Sequence, residues 1–537
     1  MIQIAEKTLT SLCLASSEKY KDRPAFAMIS EGKITRHVTY AQMGLRARQI
    51  GNLLNTLGVK RDEKILLFSE NCPEWPIACF GIAFAGAVSV PLLTGFCAEQ
   101  VQNIINHSQI SAICLSKAAG EKLKLSSHEL PLVFIDSISG DEISVSVNGE
   151  QGRMTLNADT GGAFHQRGPD ELAAIIYTSG TQGNSKGVML TGANLISSAV
   201  SSLSFVKLFP RDRLLSVLPL AHTYECSLGL IAPLLCGASV AYLEKPPSPS
   251  VLLEAAGIFR PTAMVTVPLL IEKIYKSTIA PKLRKSRLYK FPVTRSLAVF
   301  FAGRKLISAL GGRIRFFGIG GAPLSPDVEK FLHRAGFPYS TGYGLTEASP
   351  FVAGNAPRRF PIHSSLRAPH GVKLRIAGGE GGDEGEIQIQ GPNVMMGYYR
   401  DGERTAEAFT SDSWLRTGDL GRIDKKGRLH IRGRLKALIL GPSGENIYPE
   451  EIEGLLGSSR LVEDALVYSG EKGELVALVR LSDAAKAAAG AVEHALEELR
   501  SWVNKKLAYF SRLSRIEIKN EPFEKTPTMK IKRYLYD

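Results

Sequence analysis

Between Leu172 and Leu195 an apolar run passes into YTSGTQGNSKGVML, and the residue types there suit the holding of a polyphosphate. Ala173, Ala174, Ile175, Ile176 and Tyr177 read as a buried strand, followed by Thr178, Ser179, Gly180, Thr181, Gly183 and Lys186 as a loop. Glycines let backbone N–H groups approach phosphate oxygens closely, hydroxyls donate further hydrogen bonds, and a lysine adds a mobile positive charge. A nucleoside triphosphate is the natural guest. The common P-loop spacing, GxxxxGK followed by Ser or Thr, is not met, because Gly187 follows Lys186. A helical pattern is expected to resume after the loop. Taken alone, a Ser/Thr/Gly run with one lysine also describes a surface turn.

Further blocks decide between the two. LPLAHTYE (218–225), GGAPLS (320–325), STGYGLTEASP (340–350), SWLRTGDLGRID (413–424), IRGRLKALI (431–439), GENIYPEEIE (444–453) and TPTMKIKR (526–533) follow in order. With the loop, they resemble the adenylate-forming acyl-CoA synthetase superfamily over nearly the whole chain, and most of all its long-chain fatty acyl-CoA synthetases. The resemblance implies an α/β protein. Its large N-terminal adenylation domain, residues 1–433, would hold two α/β subdomains and a small β-barrel-like subdomain at about 351–430. A small mobile α+β C-terminal domain would follow at 434–537, turning about the hinge residue Lys436.

The resemblance also implies roles. ATP would lie on the loop, with adenine between Gly320, Gly321 and Ala322 on one face and Tyr343, beside Gly344, on the other. Thr346 would contact the α-phosphate and Glu347 would ligate Mg²⁺, a hard carboxylate for a hard cation. Asp419 would accept both ribose hydroxyls, and Arg434 would reach ribose or phosphate. Lys530 would serve adenylation, although Met529 stands where many members have glycine, which leaves Lys532 as a competitor. His222 would stand beside the acyl pocket and the thiol entry path. Read without the blocks, His222 and Tyr343 are ordinary core residues, Asp419 a turn residue, and Lys530 a solvated cation.

The implied reaction joins a fatty-acid carboxylate to the α-phosphorus, releases pyrophosphate, and passes the acyl group from acyl-AMP to coenzyme A. No protein nucleophile is required, and no Ser-His-Asp or Cys-His constellation is evident in the sequence. An acyl-AMP ligase serving an acyl carrier protein, an aryl or amino acid activating enzyme, and a catalytically silent lipid- or nucleotide-binding homologue share these motifs.

The elements that must position these residues are partly visible. Tyr40–Leu57 and Asn71–Gly86 show helical spacing, Lys64–Phe68 and Val88–Leu92 read as strands, and Arg213–Pro219 is expected to run as a strand into AHTY. A further strand is expected between Ile314 and Ala322, and a helix over Ala491–Leu507. Residues 115–165, rich in Ser, Gly and charge, are expected to be peripheral and weakly constrained.

At 537 residues the chain is too long for one core. Its 44% apolar and 22% charged composition is that of an ordinary soluble globular protein. Seven cysteines without paired metal-type spacing suit a reducing cytosol and no zinc site. Charges within the first residues argue against a secretory signal, and Ile77–Leu93 is too short and interrupted to span a membrane. A cytoplasmic location is expected, with peripheral attachment to the inner face of a membrane as its extension.

The net charge of +13 is uneven, with twelve Lys and Arg and no Asp or Glu from Lys273 to Arg315. A basic stretch interleaved with aromatic residues is either a solvated helical face or a contact for an anionic membrane surface. No nucleic-acid module accompanies it, so nucleic acid is not expected as a partner.

Overall fold

The computed structural model describes residues 1–123, 129–157, 167–178, 185–357, 366–378, 384–440, 446–470, 473–486, 492–526 and 530–536. Two large sheets carry the N-terminal part. The first has eight strands in the order Phe351–Gly354, Tyr339–Gly344, Phe316–Ile319, Ala263–Thr266, Arg213–Leu215, Ser239–Leu243, Pro24–Ser30, Lys33–Thr39. Its inner pairs are parallel, and only the two outermost strands turn back. Parallel strands aligned in this way present their C-terminal ends along one edge, where open α/β sheets bind ligands. Gly320–Ala322 follow one of these ends, Tyr343 and Gly344 close another with Thr346 and Glu347 just beyond, and His222 lies seven residues beyond a third.

The second sheet has nine strands, with Lys64–Phe68 between Val88–Leu92 and Ile110–Leu115 and parallel to both. Such strands, covered on both faces, read as continuous apolar runs, which is why they were visible in the sequence. Tyr40–Thr56 begins in a capping box, in which the Thr39 hydroxyl accepts from the Gln42 backbone amide at 3.2 Å and the Gln42 side-chain Oε1 accepts from the Thr39 backbone amide at 2.9 Å. One apolar core joins both sheets, and a second lies under the other face of the first.

Several expectations need correction. The chain after the phosphate loop continues as strand Lys186–Thr191, antiparallel to Leu172–Thr178, before the helix Gly192–Ser202 starts. Thr191 is both the last strand residue and the cap of that helix, so the two periods merge in the sequence. The strand expected over Arg213–Pro219 stops at Leu215. Within 115–165, Leu132–Ser139, Glu142–Val147 and Glu150–Thr155 form the far edge of the second sheet, where polar residues face water on one side.

The β-rich stretch is shared among sheets. Phe351–Gly354 belongs to the first and Gly397–Tyr398 to the second, while Lys373–Ile376, Gly385–Gln390, Leu415–Ile423 and Leu429–Arg434 form a four-stranded antiparallel sheet. Beyond it, helices Pro449–Gly457 and Val492–Asn504 pack on strands Val462–Ser469, Leu475–Leu481 and Arg515–Ile518 around a separate core containing Ile452, Leu456, Val479 and Val503.

Candidate active site

Asp419 lies mid-strand in Leu415–Ile423 and is 6% exposed. Strand register places it directly opposite Arg434, whose Nε stands 2.9 Å from its Oδ1. On its other oxygen it accepts the Tyr343 hydroxyl at 2.6 Å. Each carboxylate oxygen keeps a second lone pair, so two further donors can be accommodated. Burial raises the Asp419 pKa, while Arg434, the Tyr343 hydroxyl and Lys530 oppose the rise. Burial likewise pushes the Tyr343 phenol well up, with the Asp419 charge adding to it. Tyr343 therefore stays a donor.

A second chain of contacts joins Lys186 to Glu347. Lys186 opens the strand Lys186–Thr191, paired with Thr178 on its neighbour. Its Nζ donates to the Tyr398 hydroxyl at 3.4 Å and sits 4.7 Å from the centre of that ring. The Tyr398 hydroxyl in turn donates to Glu347 Oε1 at 2.9 Å. Burial lowers the Lys186 pKa, and the Glu347 carboxylate pulls it back up.

Backbone contacts explain why these groups meet. The Met395 amide donates to the Glu347 carbonyl at 2.9 Å, the Met396 amide to the Met189 carbonyl at 3.0 Å, and Tyr398 pairs with Val188. Asn393 donates to the carbonyls of Ala348 and Phe351, fixing the short turn Thr346–Ala348. The segment 391–398 thus binds the turn bearing Thr346 and Glu347 to the strand bearing Lys186. Tyr398 was missed in the sequence reading. It stands in the GYY of residues 397–399, directly after the apolar Val394, Met395 and Met396, where a tyrosine has no signal that separates it from a core residue.

Gly344 has a steric reason of its own, since a Cβ there would stand 1.9 Å from the Pro350 carbonyl oxygen. Gly321 adopts φ +85° at the end of its strand, a conformation that favours glycine, and Ala322 is exposed beside it. At Gly320 a Cβ would meet the Tyr224 ring at 3.2 Å. Ser179, Gly180, Thr181 and Gly183 lie outside the described residues.

The C-terminal part contributes Lys530. Desolvation first, then the Arg434 cation, hold its ammonium below the usual lysine range, while Asp419, Glu450 and Glu347 act against them. Lys532 faces elsewhere, donating to Glu524 at 3.1 Å. The two competing lysines are thereby separated: only Lys530 lies in the field of the Asp419 and Glu347 cluster. Lys436, in the turn Leu435–Ala437, is near enough to lower the Lys186 pKa.

His222 closes the other side. Its Nδ1 accepts the Tyr224 amide at 3.1 Å, which puts the proton of the neutral ring on Nε2. Burial, with the Lys530 charge behind it, holds its pKa down at about 4, so the imidazole is neutral at physiological pH. The chain then enters a π-helix, Glu225–Ile231. Glu225 is fully buried and neither carboxyl oxygen has a hydrogen-bond partner among the described residues. Burial raises its pKa to about 8, only partly offset by the nearby Ser216 hydroxyl and Leu218 amide, neither of which meets hydrogen-bond geometry with it. Beside this wall lies an enclosed apolar cavity lined by Trp75, Phe80, Ile176, Leu220, Leu230 and Ile231, among others.

Among the described residues no three His, Cys, Asp or Glu side chains gather as a metal cage. A magnesium ion that shares its ligands with phosphates and waters needs only one or two carboxylates. Glu347 fits that part, since Tyr398 engages only its Oε1. The arrangement as a whole offers cations for phosphate, an oriented carboxylate for hydroxyl groups, and a neutral imidazole facing a lysine.

Comparison with known proteins agrees with this chemistry. Residues 14–399 match the family described as AMP-binding enzyme. The chain is 31% identical over 496 residues to the peroxisomal long chain acyl-CoA synthetase 7 of Arabidopsis thaliana, covering 84% of this chain and 69% of that one. It is 28% identical to a chloroplastic long-chain-fatty-acid--[acyl-carrier-protein] ligase of the same plant, covering 98% of this chain and 85% of the relative. Among solved structures, ATP-bound MatB from Rhodopseudomonas palustris superposes with a TM-score of 0.77 at 24% identity, covering 99% and 98% of the two chains.

Proposed function

Because this chain belongs to the AMP-binding enzyme family, we propose that it activates a long-chain fatty acid with ATP through an acyl-AMP intermediate and transfers the acyl group to coenzyme A. The observation that carries this reading is the convergence of Lys186, Glu347, Asp419, Arg434 and Lys530, drawn from distant parts of the chain, on one electrostatic cluster.

A carboxylate is a poor acyl donor because its oxygen is a bad leaving group. Attack of the fatty-acid oxygen on the α-phosphorus forms the acyl–phosphate bond and expels pyrophosphate, and thiol attack then expels AMP. Charge spreads over the phosphoryl oxygens in the first step, so positioning and electrostatics are the protein's main contribution. In this reading Asp419 holds the ribose hydroxyls through its free lone pairs and Arg434 braces it. Tyr343, with Gly344, covers one face of adenine, opposite Gly320, Gly321 and Ala322. Lys186, with Thr178, Ser179, Gly180, Thr181 and Gly183, holds the β- and γ-phosphates, while Thr346 and Lys530 meet the α-phosphate. Magnesium, when bound to Glu347, neutralises phosphate charge. His222, neutral throughout the working range, offers its Nε2 proton at the acyl end without adding a competing cation.

The separate core beyond Arg434 supports a domain boundary at 433/434, with Lys436 in the hinge and 434–537 as the mobile unit. Rotation about it would withdraw Lys530 after the first step. Among the described residues no helix is long and apolar enough to cross a membrane. The reading places the enzyme in the cytoplasm, drawing its acid from an anionic membrane surface through residues 273–315.

A second acceptor is supported by the acyl-carrier-protein ligase that aligns with nearly the whole chain. Acid-dependent exchange of labelled pyrophosphate into ATP across fatty acids of graded length tests the activation step. Thioester formation with coenzyme A against holo-acyl carrier protein tests the transfer. Exchange with long-chain acids and faster transfer to coenzyme A are expected. No exchange with any acid would overturn the reading, and transfer only to the carrier would replace its second half.

A further inference from the structure

The stretch from Lys273 to Arg315 folds mainly as helices, the longest being Pro292–Ala309. One face of that helix is anchored: Ala298, Val299, Gly303 and Leu306 are buried, and a Cβ on Gly303 would lie 2.6 Å from the Cβ of Ala335. The anchor fixes what the opposite face shows. At i, i+4, i+7 and i+8 it presents Val293 (93% exposed), Leu297 (49%), Phe300 (47%) and Phe301 (56%), with Arg304 at i+11. Phe291 (65%) and Leu288 (44%) extend the apolar ridge through the preceding turn.

Arg287, Lys290, Arg295, Arg304 and Lys305, all exposed, come from the same short stretch. Not every basic residue in the run is available, since Arg315 pairs with Asp212 and Lys276 donates to the Gly457 carbonyl. Among the described residues no ion pair involves Arg287, Lys290, Arg304 or Lys305. A merely solvated face would not display two phenylalanines, a leucine and a valine together. A polyanion in water would meet the cations but gain nothing from the aliphatic side chains. An anionic bilayer uses both: apolar side chains enter the headgroup and acyl boundary while lysine and arginine stay at the level of the lipid phosphates.

We propose that the outer face of helix Pro292–Ala309, with Leu288 and Phe291 before it, inserts into the surface of an anionic lipid bilayer. This deepens the membrane contact of the proposed function by naming the apolar insertion, and it stands whether or not the acid is transferred to coenzyme A.

Co-sedimentation of the full chain with phosphatidylcholine vesicles, with and without phosphatidylglycerol, tests it. Phe300→Ser with Phe301→Ser is expected to lower partitioning onto anionic vesicles about tenfold. Arg287, Lys290, Arg304 and Lys305, all changed to Gln, should lower it by about tenfold or more and leave the weak binding to neutral vesicles unchanged. Lys425→Gln with Lys426→Gln, exposed elsewhere, should change nothing. Parent-like partitioning of the serine variant, or equal parent binding to both vesicle types, would overturn the proposal. So would a lipid-free dimer that the serine variant dissolves, which would make the face an interface between copies. Melting temperature and pyrophosphate exchange with a dissolved acid, unchanged in the variants, show that the fold and site are intact. Absence of exchange in the parent would remove the ligase reading and leave the vesicle result standing.

Discussion

In the charged cluster proposed to hold the nucleotide, Asp419 takes Arg434 on one oxygen and Tyr343 on the other, and Glu347 takes Tyr398, which also meets Lys186. Along the wall from Leu220 to Ile231, by contrast, the buried Glu225 carboxyl and the Thr223 hydroxyl have no partner among the described residues, and apolar side chains line the space beside them. A polyanionic ligand requires fixed cations and carboxylates, which survive burial only when paired. In the proposed reading a hydrocarbon chain would need only apolar surface there, and the nearby Ser216 and Leu218 amide offset the desolvation of an ionised Glu225 only in part. The first region is therefore set by electrostatic positioning and the second by desolvation. Substitutions in the two should fail in different ways.

The largest effect is expected at Lys186, whose charge faces both Tyr398 and Glu347: Lys186→Ala should slow pyrophosphate exchange by about 10²–10³-fold, as loss of a preorganised phosphate ligand does. A rise in KM for ATP at constant kcat would instead make it a ground-state contact only. Asp419→Ala follows, with a loss of about 10–100-fold in kcat/KM for ATP and little change in KM for the acid, because charge-assisted bonds to hydroxyls are removed. Equal damage to both substrates would blur the distinction between the regions. Tyr398→Phe removes one hydroxyl between Lys186 and Glu347 and should cost about fivefold, with a shifted magnesium dependence of exchange.

The smallest kinetic effect, and an opposite effect on stability, is expected at Glu225. Its folded pKa of about 8 lies above the unfolded carboxyl value of about 4.3. The unfolded chain sheds this proton first, so the group's contribution to stability is full below the unfolded pKa and falls as pH rises through the folded one. Glu225→Gln should therefore be about as stable as the parent at pH 5 and more stable than it at pH 8, by up to about 4 kcal/mol. A constant difference across pH 5–8 would show that Glu225 is not held protonated.

The same contrast explains what the sequence could reveal. Asp419, Glu347, Lys186 and Lys530 could be nominated only because each stands in a block that resembles a known family; alone, each reads as a turn or surface charge. Their mutual geometry could not, since it depends on Tyr398 and Asn393, which tie segments far apart in the chain through their side chains and through the pairing of Tyr398 with Val188. In TPTMKIKR the register favours Lys530 with Lys532 as a competitor, and the bond of Lys532 to Glu524 turns that second lysine away. Both main sheets were foreshadowed by apolar runs such as Lys64–Phe68. The edge strands between Leu132 and Thr155 were not, because edge residues that face water look like loop residues. Glu225 stood in plain view in LPLAHTYE, but burial of a carboxyl without a partner has no local signature.

Single-turnover rates of the two half-reactions in Lys530→Ala test the central claim most directly. Lys530 lies in the field of Asp419, Glu450 and Glu347, where it would serve formation of the mixed anhydride and not thiol attack. The expected result is acyl-AMP formation slowed by about 10²–10³-fold, with preformed acyl-AMP still converted to acyl-CoA at close to the parent rate. Equal slowing of both steps, or an unchanged first step, would contradict the account.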